Sequence, residues 1–315
     1  MASVVPVALF AALPEASATD ASAGWAVRAI VVLSTGHVGL SALFWLDRRY
    51  RAHIAAQTRT YYWDFFLLAG LCLIGLHLPA LPFMGALVLG YLVWNGYHYA
   101  RQNWGILCLT ALGTREARPT RTEYYGCMLG CAGGVLGMIP ASMPNLLPAS
   151  ASTLGFATTL LALAVALWVA LRQFLDRADP LRIAMTLVNG MFFLPIFVFG
   201  PVIGFVTIAT IHAGHYYFLM IGLAADRRQG PAWLRVGGAL TCAAVLAAGV
   251  ELIRNPEFSA GLLNADQADT LIIIVLMWHY ILDGGLWRLR QRFQRATVAE
   301  SLPFLFAVPA RADQE

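Results

Sequence analysis

The stretch Val202–Ala224, VIGFVTIATIHAGHYYFLMIGLA, decides how the rest of the chain is read. At about 1.5 Å per residue it is long enough to cross the roughly 30 Å hydrocarbon core of a bilayer as a helix. It contains no Asp, Glu, Lys or Arg, yet it places His212 and His215 near its middle. In lipid every backbone N–H and C=O must be satisfied within the segment, so such a run is a helix. A histidine at that depth is costly unless it faces a protein interior, which makes it a site candidate.

Outward from this stretch, the composition agrees. The 315 residues are 59% hydrophobic and only 12% charged, about half the charge of an ordinary soluble domain. The fold class is therefore an all-α, polytopic membrane helical bundle. Apolar runs predict nine spans: Trp25–Leu46, Tyr62–Leu78, Pro82–Leu112, Tyr124–Ile139, Ser152–Phe174, Ile183–Phe199, Val202–Ala224, Trp233–Ile253 and Asp269–Leu289. The fourth is short and rich in glycine (Gly126, Gly130, Gly133, Gly134, Gly137), as expected of a helix that packs closely against others. Residues 25–290 form one transmembrane domain in this reading, 1–24 a leading segment and 291–315 a cytoplasmic tail. The start carries no basic residue before its apolar run, so it does not read as a cleaved signal peptide.

All 21 basic residues are arginine, and 18 of them fall in loops or ends on one side of the nine-span layout. The positive-inside rule then puts the C-terminus in the cytoplasm and the N-terminus outside, in the inner (plasma) membrane. Topology accounts for these arginines, and no nucleic-acid surface is implied. Arg28 and Arg254 lie on the other side, and Arg101 lies within the third span. The five cysteines show no paired ligand spacing and read as small buried apolar residues. Walker, dinucleotide-binding and nucleophile-elbow motifs are missing.

Spans 1, 3, 7 and 9 run in the same direction, and each carries a histidine near mid-depth: His37, His98, His212 and His279, with His215 one turn below His212. Several imidazoles at one depth suit a bound iron, copper or zinc. The metal ligands expected are His37, His98, His212 and either His215 or His279. Polar neighbours extend the group. Ser34, His37 and Ser41 share a face, and Asn95, His98, Arg101 and Gln102 form a stripe. Asp283 stacks one turn below His279, where it can accept the second N–H of a ligating ring. Asp283, Asn95, Gln102 and Arg101 are the candidate catalytic and supporting residues. An Arg101–Asp283 pair is the alternative use of that carboxylate, because a buried arginine needs a partner. The echo of Thr35-Gly-His37-Val-Gly39 in Thr210-Ile-His212-Ala-Gly214 hints at an internal repeat.

The nine-span layout, with histidines on an early helix (His37), a third helix (His98) and a later helix bearing a close pair (His212, His215), resembles the bacteriorhodopsin-related (Brp/Blh) family of membrane β-carotene 15,15′-dioxygenases. The resemblance implies histidine-bound iron(II), dioxygen and a carotenoid cleaved to retinal. The pair here is spaced His-x-x-His, and His279 is an additional histidine. The chemistry expected is a non-haem iron oxygenase acting on a lipophilic small molecule from the bilayer, with membrane lipid as its surroundings. Haem bound by two facing histidines for electron transfer and a proton-coupled transporter built on midplane His, Asp and Arg are the competing readings. A subunit of a larger membrane assembly is a further one. Two-iron desaturases and alkane hydroxylases resemble one another in carrying eight or more histidines, and this chain has seven.

Overall fold

The structure, a computed structural model, describes residues 32–77, 83–114, 116–143, 145–225, 230–254, 265–287 and 291–302. Most of these residues are helical, with no strand among them. The leading segment 1–24, the first residues of span 1, Arg227, Arg228, Arg288, Arg290 and Arg311, and the apolar tail after Leu302 lie outside the described residues.

Most of the helices follow the apolar runs. They are α1 (Val32–Leu46), α2 (Arg48–Ala56), α3 (Asp64–His77), α4 (Phe83–Gly113), α5 (Arg121–Ser142) and α6 (Ser150–Leu175). Next come α7 (Pro180–Met191), α8 (Pro195–Val198), α9 (Pro201–Ala224), α10 (Ala232–Arg254), α11 (Ala265–Leu286) and α12 (Arg292–Ser301). Among the described helices, α5, α6, α9 and α10 are long and apolar enough to cross a membrane. Their outer faces are greasy: Leu160, Leu161, Leu167, Trp168 and Leu171 of α6 are all exposed. A water-soluble chain does not present continuous apolar helix faces of this kind. Lipid does not penalise them, so this is a membrane protein.

Two expectations are corrected. The sixth predicted span is not one helix. It breaks after Met191 into a turn and the four-residue α8, because Pro195 has no N–H to continue the ladder, and Gly200 at φ 82° leads into Pro201. Residues 291–302 of the expected C-terminal tail are described. Their helix α12 buries Gln294, Thr297 and Val298. Arg101, expected to need a buried partner, is exposed.

The chain divides into two compact units, each discontinuous in sequence: residues 1–95 with 202–287, and residues 96–201 with 288–315. In the second unit, α5 is the helix against which α6, α7 and α8 pack. Its glycines make this possible. A Cβ on Gly133 would lie 2.7 Å from the carbonyl oxygen of Gly155, and one on Gly155 would lie 2.6 Å from that of Gly133. The two backbones therefore cross with nothing between them, the packing that small residues permit in membranes. We expect Gly133→Leu to lower stability by about 1–3 kcal/mol through overpacking, read as a lower thermal midpoint in detergent. Gly237→Leu, where a Cβ meets nothing within 4 Å, is the control and leaves the midpoint unchanged.

The same unit is tied at one end by a polar knot. Thr120 and Glu123 form a capping box at the start of α5. Glu123 also accepts from Gln173 of α6 at 3.2 Å and pairs with Arg182 in the first turn of α7. Arg182 donates onward to Thr186 at 3.1 Å. Both ionised side chains are only 3% exposed.

In the first unit, α1 crosses α10 and α11 packs on α3. Gly39 sets the α1–α10 crossing, since a Cβ there would lie 2.5 Å from the carbonyl oxygen of Cys242. The helix α1 is not regular. The N–H groups of Leu40, Ser41, Leu43 and Phe44 bond three residues back rather than four, the tighter winding of a 3₁₀ turn. Asp47 at its end caps α2 and lies 3.6 Å from Arg235 in the first turn of α10.

Candidate metal centre

Three helices of the first unit each deliver one histidine to the same place: α1 gives His37, α9 gives His212 and α11 gives His279. One ring nitrogen from each lies within 4.8 Å of the other two, and all three side chains are buried. The ring centroids are 4.9 Å apart for His37–His212, 4.8 Å for His37–His279 and 6.4 Å for His212–His279, all edge-to-face. Such a triangle sets ring edges against ring faces and brings one nitrogen of each ring close to the other two, rather than stacking the rings.

The tautomer of His37 follows from its neighbour. Its Nδ1 donates to the backbone carbonyl of Ser34, one turn back on α1. The hydrogen is thus on Nδ1 and the lone pair on Nε2. Among the described residues Nε2 meets no hydrogen-bond partner, although His37 is only 5% exposed. Buried polar atoms without partners are rare and call for an explanation, a missing ion among them. Metal-ligating histidines have this arrangement, with one nitrogen donating to a carbonyl or carboxylate and the other facing the metal. The donor set therefore fits a borderline-soft divalent ion such as iron(II), copper or zinc.

Below the triangle lies a second layer, built from the residue four positions after each histidine: Ser41, Tyr216 and Asp283. Tyr216 donates to Asp283 Oδ1 at 2.9 Å. Ser41 Oγ lies 3.0 Å from the Tyr216 hydroxyl and 2.8 Å from His279 Nδ1. Asp283 Oδ2 lies 3.5 Å from His279 Nε2. The contacts close into a ring of four side chains, all buried. Residues at i and i+4 are one turn apart on the same face. Both layers can form together only if α1, α9 and α11 run in the same direction.

The sequence-derived candidates divide as follows. His37, His212 and His279 are brought together, and Asp283 stands beside His279. Asn95 is fully buried and accepts the Tyr280 hydroxyl at 2.7 Å, next in the chain to His279. His215 is buried on α9 but outside the triangle. His98, Arg101 and Gln102 belong to the second unit. There His98 is buried with its ring 6.1 Å from that of Tyr99. Ser41 and Tyr216 as partners of His279 were not foreseen. The signal was present as a repeated pattern of a histidine followed four residues later by a hydroxyl or carboxylate, on three helices.

Aromatic side chains collect around this part of the first unit. Trp278 lies 6.0 Å from Trp45 and 5.4 Å from Phe65, and Phe44 lies 6.4 Å from Trp287. Phe218 and Trp94 are exposed. No family model matches the chain, and no curated protein or solved structure matches it.

Proposed function

We propose that this chain is an integral-membrane oxygenase that holds iron(II) on His37, His212 and His279 and acts on a lipophilic substrate taken from the bilayer. The observation that carries this reading is the buried triangle of imidazoles, in which His37 Nε2 meets no hydrogen-bond partner among the described residues. When bound, iron(II) supplies the centre at which dioxygen and substrate meet. The rest is done by the protein. Ser34 fixes the His37 tautomer, complete burial of His212 and His279 keeps bulk water away, and exposed apolar helix faces leave the bilayer in contact with the protein wall. A long apolar substrate such as a carotenoid suits the aromatic surroundings, and its cleavage to retinal is the specific activity that the sequence resemblance implies.

The close spacing favours a single ion over haem. With a third ring 4.8–4.9 Å from His37, a macrocycle between any two of the imidazoles would collide with the remaining one. The buried Asp283 ring of contacts favours a proton-coupled transporter as the second reading. We further propose the nine-span layout in the inner membrane with the C-terminus cytoplasmic. Pairing of Asp47 with Arg235, and of Glu123 with Arg182, supports this topology by drawing arginine-rich loops to a common end within each unit.

The test is metal content and turnover on one detergent-purified sample. Stoichiometric iron is expected, with no Soret band, and oxygen-dependent conversion of β-carotene to retinal that stops on chelation and returns with iron(II). Iron at background in the wild type, with no change on His37→Ala, would overturn the reading. Substrate-dependent flux in proteoliposomes that survives chelation would favour the transporter.

A further inference from the structure

The second layer has a direction that the distances and hydrogen counts determine together. Tyr216 has one hydroxyl hydrogen, and it is committed to Asp283 Oδ1. Its oxygen can then only accept in the 3.0 Å contact with Ser41, so Ser41 donates there. Ser41 likewise has one hydrogen, now used. Its oxygen therefore accepts in the 2.8 Å contact with His279, and the His279 hydrogen sits on Nδ1. The lone pair of His279 is left on Nε2, the same nitrogen that His37 presents. His37 reaches this state through a local carbonyl on its own helix. His279 reaches it through two side chains from two other helices.

We propose that Tyr216 and Ser41 are positioning residues that fix the His279 hydrogen on Nδ1 and so turn its Nε2 lone pair to the metal. The inference rests on the metal-centre reading above. Asp283 is the origin of the polarity, because its carboxylate oxygen accepts the Tyr216 hydroxyl. It also stands 3.5 Å from His279 Nε2, where a negative charge favours a bound cation. Neither Tyr216 nor Ser41 is itself a ligand. Both act through the imidazole, in the way carbonyl and carboxylate partners orient metal-bound histidines elsewhere.

Cobalt(II) titration of the full chain in micelles tests this, with two readouts: affinity from the visible d–d bands, and the solvent-exchangeable, paramagnetically shifted N–H resonances of the loaded protein. The wild type is expected to show two protected N–H signals, one from His37 and one from His279. Tyr216→Phe and Ser41→Ala are expected to lose the second signal, keep the first, and weaken cobalt binding by about 10–100-fold. Ser41→Thr, which keeps the hydroxyl, restores both readouts. Tyr50→Phe, a buried tyrosine packed on Phe44, binds as the wild type does. If both N–H signals persist in Tyr216→Phe and Ser41→Ala, the positioning role is overturned, whatever happens to affinity. A wild type that takes up no cobalt overturns the metal reading together with this inference. Should Tyr216→Phe fail to fold, the comparison of Ser41→Ala with Ser41→Thr decides the question alone.

Discussion

Purified His212→Ala protein is expected to come out of the membrane without metal. His212 is fully buried and occupies one corner of the triangle. Its removal leaves two imidazoles 4.8 Å apart by ring centroid, too few donors to outcompete water and buffer for a divalent ion. Losing a hydrogen-bonded neighbour of a ligand already costs about 10–100-fold in affinity, and losing the ligand itself should cost more. Elemental analysis after equilibrium dialysis, normalised to protein, measures this directly. His212→Gln, closer in volume, separates ligand loss from a collapse of packing and should give the same empty protein. Metal retained at wild-type stoichiometry in both variants would show that the triangle is not a metal site.

The second large effect is expected far from any metal chemistry. Arg182→Met leaves the Glu123 carboxylate buried without its cation. Breaking a buried pair by removing one partner costs about 3–5 kcal/mol, because the surviving charge is neither solvated nor neutralised. Thr120 and Gln173 still donate to Glu123, so the loss should fall toward the lower end of that range. Unfolding in SDS–detergent mixtures gives the number. The double variant Glu123→Leu with Arg182→Met should recover most of it, since replacing both charges by apolar groups removes the desolvation problem altogether. Single and double variants of equal stability would show that the knot is solvated.

The sequence carried the helices well wherever a long apolar run was flanked by polar residues. Their starts are marked by Thr120-x-x-Glu123 and Asp179-Pro180, but apolar runs alone placed them three residues late, at Tyr124 and Ile183. The sequence failed where a helix departs from regularity. The break between α7 and α8 was hidden because Phe192, Phe193 and Leu194 are as apolar in a turn as in a helix. The tightened winding of α1 after His37 left no compositional mark. Of the site, depth along the spans brought out His37, His212 and His279, because depth depends only on position along a helix. Which of the other histidines join them depends on rotation and neighbours, and these are tertiary properties. His215, one turn from His212, illustrates the difference. The Ser41–Tyr216–Asp283 layer could have been found from spacing alone, but only after the three parent helices had been selected from the nine predicted spans.

Gly39 has a consequence for any attempt to redesign this protein. Two positions beyond His37, main chain rests on main chain at the Cys242 carbonyl, with no side chain to absorb a change. A larger residue there would displace the whole α1 rod and with it the first imidazole, so the geometry of the centre is encoded partly by an atom that is missing. Redesign should therefore leave that crossing alone and vary the outward rim of α10, where Leu240 and Val245 project from the fold and mutational tolerance should be broad.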